Sequence, residues 1–328
     1  MPQVSVIVCA YTERRWDLVL RALASLQAQE PAPHEVILVV DHNERFLQRA
    51  NEELAGVTII PNDDVKGLAG ARNSGVRAAS GDVVAFLDDD ASADPGWIEH
   101  LRAPYRDPAV QGTGGMVRAE WPPAGRPEWF PAEFGWVVGC SYTGLPSVAG
   151  PVRNLIGANM SFRREAIESV GLFSTGIGRS ATAPLGCEET ELSIRLAQQD
   201  PTAMLWYEPA ASVGHAVSEP RVQPGYFLRR CLAEGLSKAL VSTMVGASDA
   251  TASERDYVRT VLPRAMWRAA RGVFHRRPGQ LGMLAALIGG LGVTTLGYGL
   301  GRFGLGSQAL RLIDSERRAG TTQEAGAQ

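Results

Sequence analysis

A chain of 328 residues with 45% hydrophobic and 20% charged content is too apolar to be disordered throughout, and it can hold one large domain with an appendage or two modest domains. The four cysteines, Cys9, Cys140, Cys187 and Cys231, are far apart and form no CxxC pair, which argues against a zinc site or a disulfide framework and suits a reducing cytosol. The net charge of −3 hides an asymmetry, because residues 1–220 carry 17 Lys/Arg against 28 Asp/Glu whereas residues 221–328 carry 15 against 7. An acidic body is thus set apart from a basic C-terminal part.

The first residues run straight into an apolar pattern, with none of the features of a signal segment. Residues 4–8, 35–40 and 57–60 read as strands, and helical patterns follow at Leu18, Leu20, Leu23 and Leu26 and again over 68–79. A fourth apolar run, 83–87, ends abruptly in Asp88, Asp89 and Asp90. Strand–helix alternation of this kind predicts an α/β fold with a mostly parallel sheet. Each strand end then carries polar groups: Glu13, Asp41, Asp63 with Asp64, and the three aspartates. In open α/β sheets ligands bind beyond the carboxyl ends of the strands, so these groups outline a pocket rim.

Three adjacent carboxylates repel one another unless positive charge sits among them. Hard Mg²⁺ or Mn²⁺ holding a diphosphate would supply it, since these ions prefer carboxylate and phosphate oxygens. A solvated acidic turn is the plain alternative. Between strands three and four, Lys66 and Arg72 flank a glycine-bearing loop, and the Arg72 fork suits phosphate or a carboxylate.

The ordered segments Val-Ile-Val-Cys-Ala-Tyr-Thr-Glu, Val-Val-Asp, Gly-Leu-Ala-Gly-Ala-Arg-Asn-Ser-Gly and Phe-Leu-Asp-Asp-Asp resemble those of an inverting family 2 glycosyltransferase with a GT-A fold, over about residues 4–215. The resemblance implies that Ala10, Tyr11, Glu13 and Asp41 meet the nucleotide, with Lys66, Arg72, Asp88 and Asp89 around it. It also implies that Asp90 holds the metal, Mn²⁺ or Mg²⁺. His215 stands where many members carry a histidine completing the metal shell. Gly157, Ala158 and Asn159 resemble the segment beside the donor sugar.

Further along, Asp94 and Pro95 read as the N-cap and first position of a helix, and residues 111–119 as a strand. Residues 121–136 hold Trp129 and Trp136 among four prolines, either a packed loop or a stacking platform for an acceptor. A helix begins at Glu188, Glu189 and Glu191, where the helix dipole alone would favour acids. Glu188 and Glu191 share a face, and Glu189 points about 100° away from Glu188. The resemblance puts the general base at Glu189, where the family usually carries aspartate, and Glu188 near the sugar or acceptor. Residues 203–207 read as an edge strand. Basic amphipathic helices are expected over 226–245 and 254–274, then an uncharged stretch, 281–301, with seven glycines. Its length suffices to span a bilayer, and with Gly289-Gly290 dividing it in half a shallow hairpin or a packed glycine-rich helix competes with a full span.

Together these readings predict a catalytic domain over 1–220, with a nucleotide-binding half, 1–110, and an acceptor half, 111–220. A basic helical extension covers 221–318 and a disordered tail 319–328. The expected activity is metal-dependent, inverting transfer from a nucleoside-diphosphate sugar, UDP-linked by family frequency, to a hydroxyl acceptor that is lipid-linked or small. The expected place is the cytosolic face of a membrane, with no nucleic-acid partner. A sugar-phosphate nucleotidyltransferase and a catalytically inactive membrane-tethered binding protein are the rival readings. The first normally shows a glycine-rich N-terminal loop, which residues 9–15 lack.

Overall fold

The computed structural model describes residues 1–178, 185–246 and 256–305, so the tail expected over 319–328 lies outside the described residues. The chain divides into two compact units. The first comprises Met1–Arg126, Ala132–Thr175 and Glu188–Ser218, and the second Pro127–Pro131, Gly176–Cys187 and everything from Glu219 onward.

The first unit is α/β. Strands β1 (Val4–Ala10), β2 (Glu35–Val40), β3 (Thr58–Pro61) and β4 (Val83–Asp88) pair in parallel in the order β3-β2-β1-β4. Helices α1 (Trp16–Gln27), α2 (Glu44–Glu53) and α3 (Leu68–Ala78) make the connections. Continuous runs of Val, Ile and Leu form β1, β2 and β4 because these strands are buried on both faces. Helix α2 has no counterpart among the sequence expectations. It has few apolar residues and starts at Asn43, whose side chain accepts a hydrogen bond from the Phe46 amide. Its two buried residues, Phe46 and Ala50, lie one turn apart.

Beyond β4 the sheet becomes mixed, continuing β8-β6-β9-β5 with β7 also paired to β9. These are β5 (Ala91–Ala93), β6 (Val110–Glu120), β7 (Gly150–Val152), β8 (Asn159–Arg163) and β9 (Met204–Ala216). The short edge strand expected over 203–207 is instead a 13-residue strand inside the sheet, parallel to β6 and antiparallel to β5 and β7. Its length matters because it delivers His215 far from the segment that looked like a strand. Helices α4 (Trp97–Arg102), α5 (Arg164–Ser169) and α6 (Glu188–Gln199) complete the unit. Asp94 does not cap α4. The cap position is Gly96, at φ 78°, while the Asp94 carboxylate pairs with Arg118 at 2.6 Å and accepts a hydrogen bond from Ser212. A tertiary ion pair has overridden a local preference.

Ile7, Ile37, Val39, Phe86, Met160, Phe162, Leu192 and Leu196 form a buried cluster between the sheet and the helices on one of its faces. Phe86 meets Phe173 edge to face at 5.3 Å, and truncating such a ring typically costs ~3–5 kcal/mol. That rigidity holds the end of β4 in place.

The second unit is helical, with α7 (Pro224–Val245), α8 (Leu262–Phe274) and α9 (Gln280–Arg302), a π-helical turn at Tyr257–Val261 leading into α8. Helix α9 runs unbroken through Gly289-Gly290, so of the alternatives for 281–301 the hairpin does not occur. Its glycines serve packing: a Cβ at Gly235 of α7 would lie 2.1 Å from the Thr294 carbonyl oxygen, and one at Gly297 would lie 2.4 Å from that of Leu232. The two backbones approach too closely for any side chain at these points.

Candidate active site

Strand pairing assembles the site from segments remote in sequence. Parallel β1 and β4 are in register at Cys9 and Asp88, so the loop after β1 and the aspartates after β4 leave the sheet side by side. The chain then turns back through Asp89 and Asp90 into β5, which pairs with β9 so that Ala91 faces His215. The Ala216 amide donates to the Asp90 carbonyl at 2.8 Å. This brings the His215 Nε2 to 3.1 Å from one Asp90 oxygen and 3.9 Å from one Asp88 oxygen. One ligand atom from each of Asp88, Asp90 and His215 lies within 4.8 Å of the others. Two carboxylate oxygens and an imidazole nitrogen are a donor set suited to Mn²⁺, and the carboxylates alone to Mg²⁺.

The acids are balanced by cations already in the chain. Arg15, in the turn after β1, places Nη1 2.8 Å from Asp89 and 3.2 Å from Asp90. The second Asp89 oxygen is buried without a hydrogen-bond partner among the described residues. Burial pushes the Asp89 carboxyl up to about 7, against the pull of Arg15. Burial alone would lower the His215 imidazole, but its hydrogen bonds to Asp90 and Cys140 outweigh that and push it up to about 10. The cluster therefore keeps protons and an arginine where a divalent ion could sit.

Arg72 is the second cation, and it is almost fully buried. It is carried on α3, which starts after the loop bearing Lys66. Its guanidinium donates to Glu188 at 2.8 Å and to the Gly157 carbonyl at 3.0 Å, with Asp88 at 3.6 Å. One side chain thus ties α6, the approach to β8 and the end of β4 together. The other Glu188 oxygen is buried with no hydrogen-bond partner among the described residues. On the same face of α6, Glu191 accepts from Arg195 and Ser174 at 2.7 and 3.0 Å. Glu189 is half-buried and lies within electrostatic reach of Arg72. Its backbone carbonyl accepts a hydrogen bond from Ser193.

The remaining residues singled out in the sequence fall in several places. Ala10 is buried at the end of β1, and its carbonyl accepts from the Asp41 amide at 2.8 Å. Tyr11 is exposed, Glu13 half-buried and Lys66 exposed. The Asp41 carboxylate is buried and accepts from Asn62 and from the Gly67 amide, which fixes the start of α3. Ala158 is buried. Asn159 is fully buried with its amide committed: Oδ1 accepts from the Trp97 indole, and Nδ2 donates to the carbonyls of Met116 and Ala211. Trp129 belongs to the second unit, against Phe130 and Phe227, and Trp136 to the first, tilted on Phe134.

Sequence reading missed Arg15. The usable signal was electrostatic: buried neighbouring carboxylates demand a cation from the adjacent strand end, and Arg14 and Arg15 are the cations in that turn.

The chain has counterparts among known proteins. Residues 5–171 match the family model described as glycosyl transferase family 2. The chain is 34% identical over 246 residues to the glucosyl-dolichyl phosphate glucuronosyltransferase of Haloferax volcanii, covering 74% of this chain and 78% of that one. It belongs to glycosyltransferase family 2. A shorter match, 36% identical over 108 residues, joins it to polypeptide N-acetylgalactosaminyltransferase 4 of Mus musculus, covering 31% of this chain but 18% of the mouse enzyme. Two solved structures share the fold. The mannosyltransferase PcManGT of Pyrobaculum calidifontis, in complex with GDP-Man and Mn²⁺, aligns with a TM-score of 0.54 at 19% identity over 90% of this chain and 87% of that one. GalNAc-T7 with UDP, GalNAc and Mn²⁺ aligns with a TM-score of 0.51 at 20% identity, over 66% and 44%. The expected GT-A architecture is therefore the one observed, and family membership sets aside the nucleotidyltransferase reading.

Proposed function

We propose that this glycosyltransferase moves a sugar from a UDP-sugar to a hydroxyl of a lipid-phosphate-linked acceptor, in one displacement that inverts the anomeric carbon. The observation that carries the reading is the convergence of Asp88, Asp90 and His215 at the carboxyl end of β4. In this reading those three residues hold Mn²⁺ or Mg²⁺. An ion held there would offset charge developing on the diphosphate leaving group. Arg15 keeps Asp89 and Asp90 aligned, and Asp41 fixes the loop on which Lys66 sits near the nucleotide. Arg72 locks Glu188 so that the first turn of α6 is rigid, and Glu189 takes the acceptor hydroxyl's proton as the oxygen attacks in line. Asn159 acts from within the sheet, holding β8 to β6 and β9 and shaping the wall beside the sugar.

The acceptor class is supported by the Haloferax volcanii relative, whose name specifies a dolichyl-phosphate-linked sugar, and by α9, a helix long and apolar enough to cross a membrane. Placement at the cytosolic face rests on four thiols that form no disulfide. The test is incubation of the purified full chain with Mn²⁺, a panel of labelled UDP-sugars including UDP-glucuronate, and a glucosyl polyprenyl phosphate. The expected product is a labelled, lipid-extractable disaccharide of inverted linkage. Label that reaches only water with every donor, or a retained anomer, would overturn the reading.

A further inference from the structure

The second unit exposes apolar side chains and arginines together. On α8, Trp267 and Phe274 are 63% and 84% exposed and lie two turns apart on one side. Arg264, Arg268 and Arg271 are exposed around them, and the Arg271 guanidinium stacks on the Trp267 ring at 5.5 Å. On α9, Leu281, Ile288 and Leu296 are all more than half exposed and fall within roughly a quarter of the helix circumference. The opposite side of α9, with Leu287, Gly290 and Gly297, is buried. Between Tyr257 and Leu305 the chain holds seven arginines and no aspartate, glutamate or lysine. A basic partner surface is therefore disfavoured: the complementary charge is anionic, and the complementary shape is broad and apolar.

Helix α9 passes the length test for a bilayer span, but its packing argues otherwise. Leu228, Gly235 and Ala239 of α7 meet Gly289, Gly297 and Gly301 of α9 in that order, so the two helices run parallel along most of α9. Helix α7 carries Arg229, Arg230, Glu234 and Lys238 within that stretch, and Lys238 and Arg230 pair with Glu234. Were α9 to cross the hydrocarbon, these four charges would be drawn to its depth, each at a cost of several kcal/mol. A helix with one face glued to a charged partner and one face apolar lies in the interface plane instead.

We infer that α8 and α9 form a one-sided seat on an anionic bilayer: the Leu281–Ile288–Leu296 face of α9 and the Trp267 and Phe274 rings enter the headgroup boundary, Arg264, Arg268, Arg271, Arg276 and Arg277 meet lipid phosphates, and neither helix crosses. This goes beyond the proposed transfer reaction and stands on the second unit alone. It holds the second unit at the membrane surface without a transmembrane anchor.

The experiment uses the full chain and sealed vesicles, one-third phosphatidylglycerol in phosphatidylcholine or phosphatidylcholine alone, and reads no transferase activity, so its failure is separable from failure of the proposed function. The chain should float with the anionic vesicles and much more weakly with the neutral ones. Arg264→Gln/Arg268→Gln/Arg271→Gln should lower partition onto anionic vesicles about 100-fold, at about fivefold per arginine. Trp267→Ala/Phe274→Ala should lower it on both kinds. Pro278→Cys and Leu305→Cys, at opposite ends of α9, should each react with an impermeant maleimide added outside, above the blank set by the unmodified chain. Labelling at one end only would mean that α9 spans and would overturn the inference. So would failure to float, whether the chain stays monomeric or self-associates through this face. A triple arginine variant that binds anionic vesicles as well as wild type would equally refute it.

Discussion

The protein carries two runs of three carboxylates, Asp88, Asp89 and Asp90 after β4 and Glu188, Glu189 and Glu191 at the start of α6, and it handles them in opposite ways. At the strand end a tight turn folds the acids together, so they share their cations: Arg15 serves Asp89 and Asp90, and His215 serves Asp88 and Asp90. On the helix, 100° per residue spreads the acids out. Glu188 goes to Arg72 and Glu191 to Arg195, while Glu189 is left on a different side. Shared cations mark a place where negative charge is concentrated, which is what suits a divalent ion. Separate partners hold Glu188 and Glu191 in place on one face of the helix, away from the direction of Glu189. In the proposed mechanism, backbone geometry rather than residue type divides binding from proton transfer.

The sharpest way to break this comparison is at Glu189. Glu189→Gln keeps size and hydrogen bonding but cannot take a proton, so transfer should fall ~10²–10⁴-fold with UDP affinity unchanged. Near-normal turnover, under conditions where chemistry limits the rate, would move the base to Glu188 or Glu191 and erase the distinction.

Next in size is the Arg72–Glu188 pair, buried on both sides. Removing one partner of such a pair costs ~3–5 kcal/mol, because the other charge is stranded. Arg72→Met should lower unfolding stability in urea by that amount. Arg72→Met/Glu188→Gln should recover much of it, although transfer stays impaired because the first turn of α6 loses its tether. A single variant as stable as wild type would show that Glu188 is not held as described.

A smaller effect concerns pH. The folded His215 imidazole is pushed up to about 10 from an ordinary 6.5, so its stabilising contribution is complete below about pH 6.5 and is lost as pH rises through 10. Asp89, raised to about 7 from 3.8, acts in the same direction at lower pH. The metal-free protein should therefore lose thermal stability from pH 7 to 10, and His215→Gln should lose less. A metal-binding imidazole must be unprotonated, so Mn²⁺ affinity should rise with pH over the same window. A flat profile in the wild type would contradict the shared-cation picture of the aspartate cluster.

How much of this was legible in the sequence differs between the two runs. Strands β1, β2 and β4 announce themselves because both their faces are buried, and the aspartates stand where β4 ends. The spreading of the glutamates follows from helix geometry alone. What could not be read is pairing at a distance. Arg72 meets Glu188 across 116 positions, and His215 reaches Asp90 only because β9 extends far past the apolar stretch that suggested it. Asn159 looked like a sugar contact because its segment resembles one, yet its amide is spent on Trp97, Met116 and Ala211. Asp94 looked like a helix cap because local preference favours it, and Arg118 claimed it instead. In each case a polar group took a partner that the fold, not the local sequence, brought near it.

The central claim is that the aspartate cluster after β4 is a cation and diphosphate site, and the most direct test is thermal unfolding with UDP, with and without Mn²⁺, in wild type and Asp90→Asn. The account predicts that UDP raises the wild-type Tm only when Mn²⁺ is present, and that Asp90→Asn folds but shows no such rise. An Asp90→Asn protein stabilised by UDP and Mn²⁺ as strongly as wild type would contradict it.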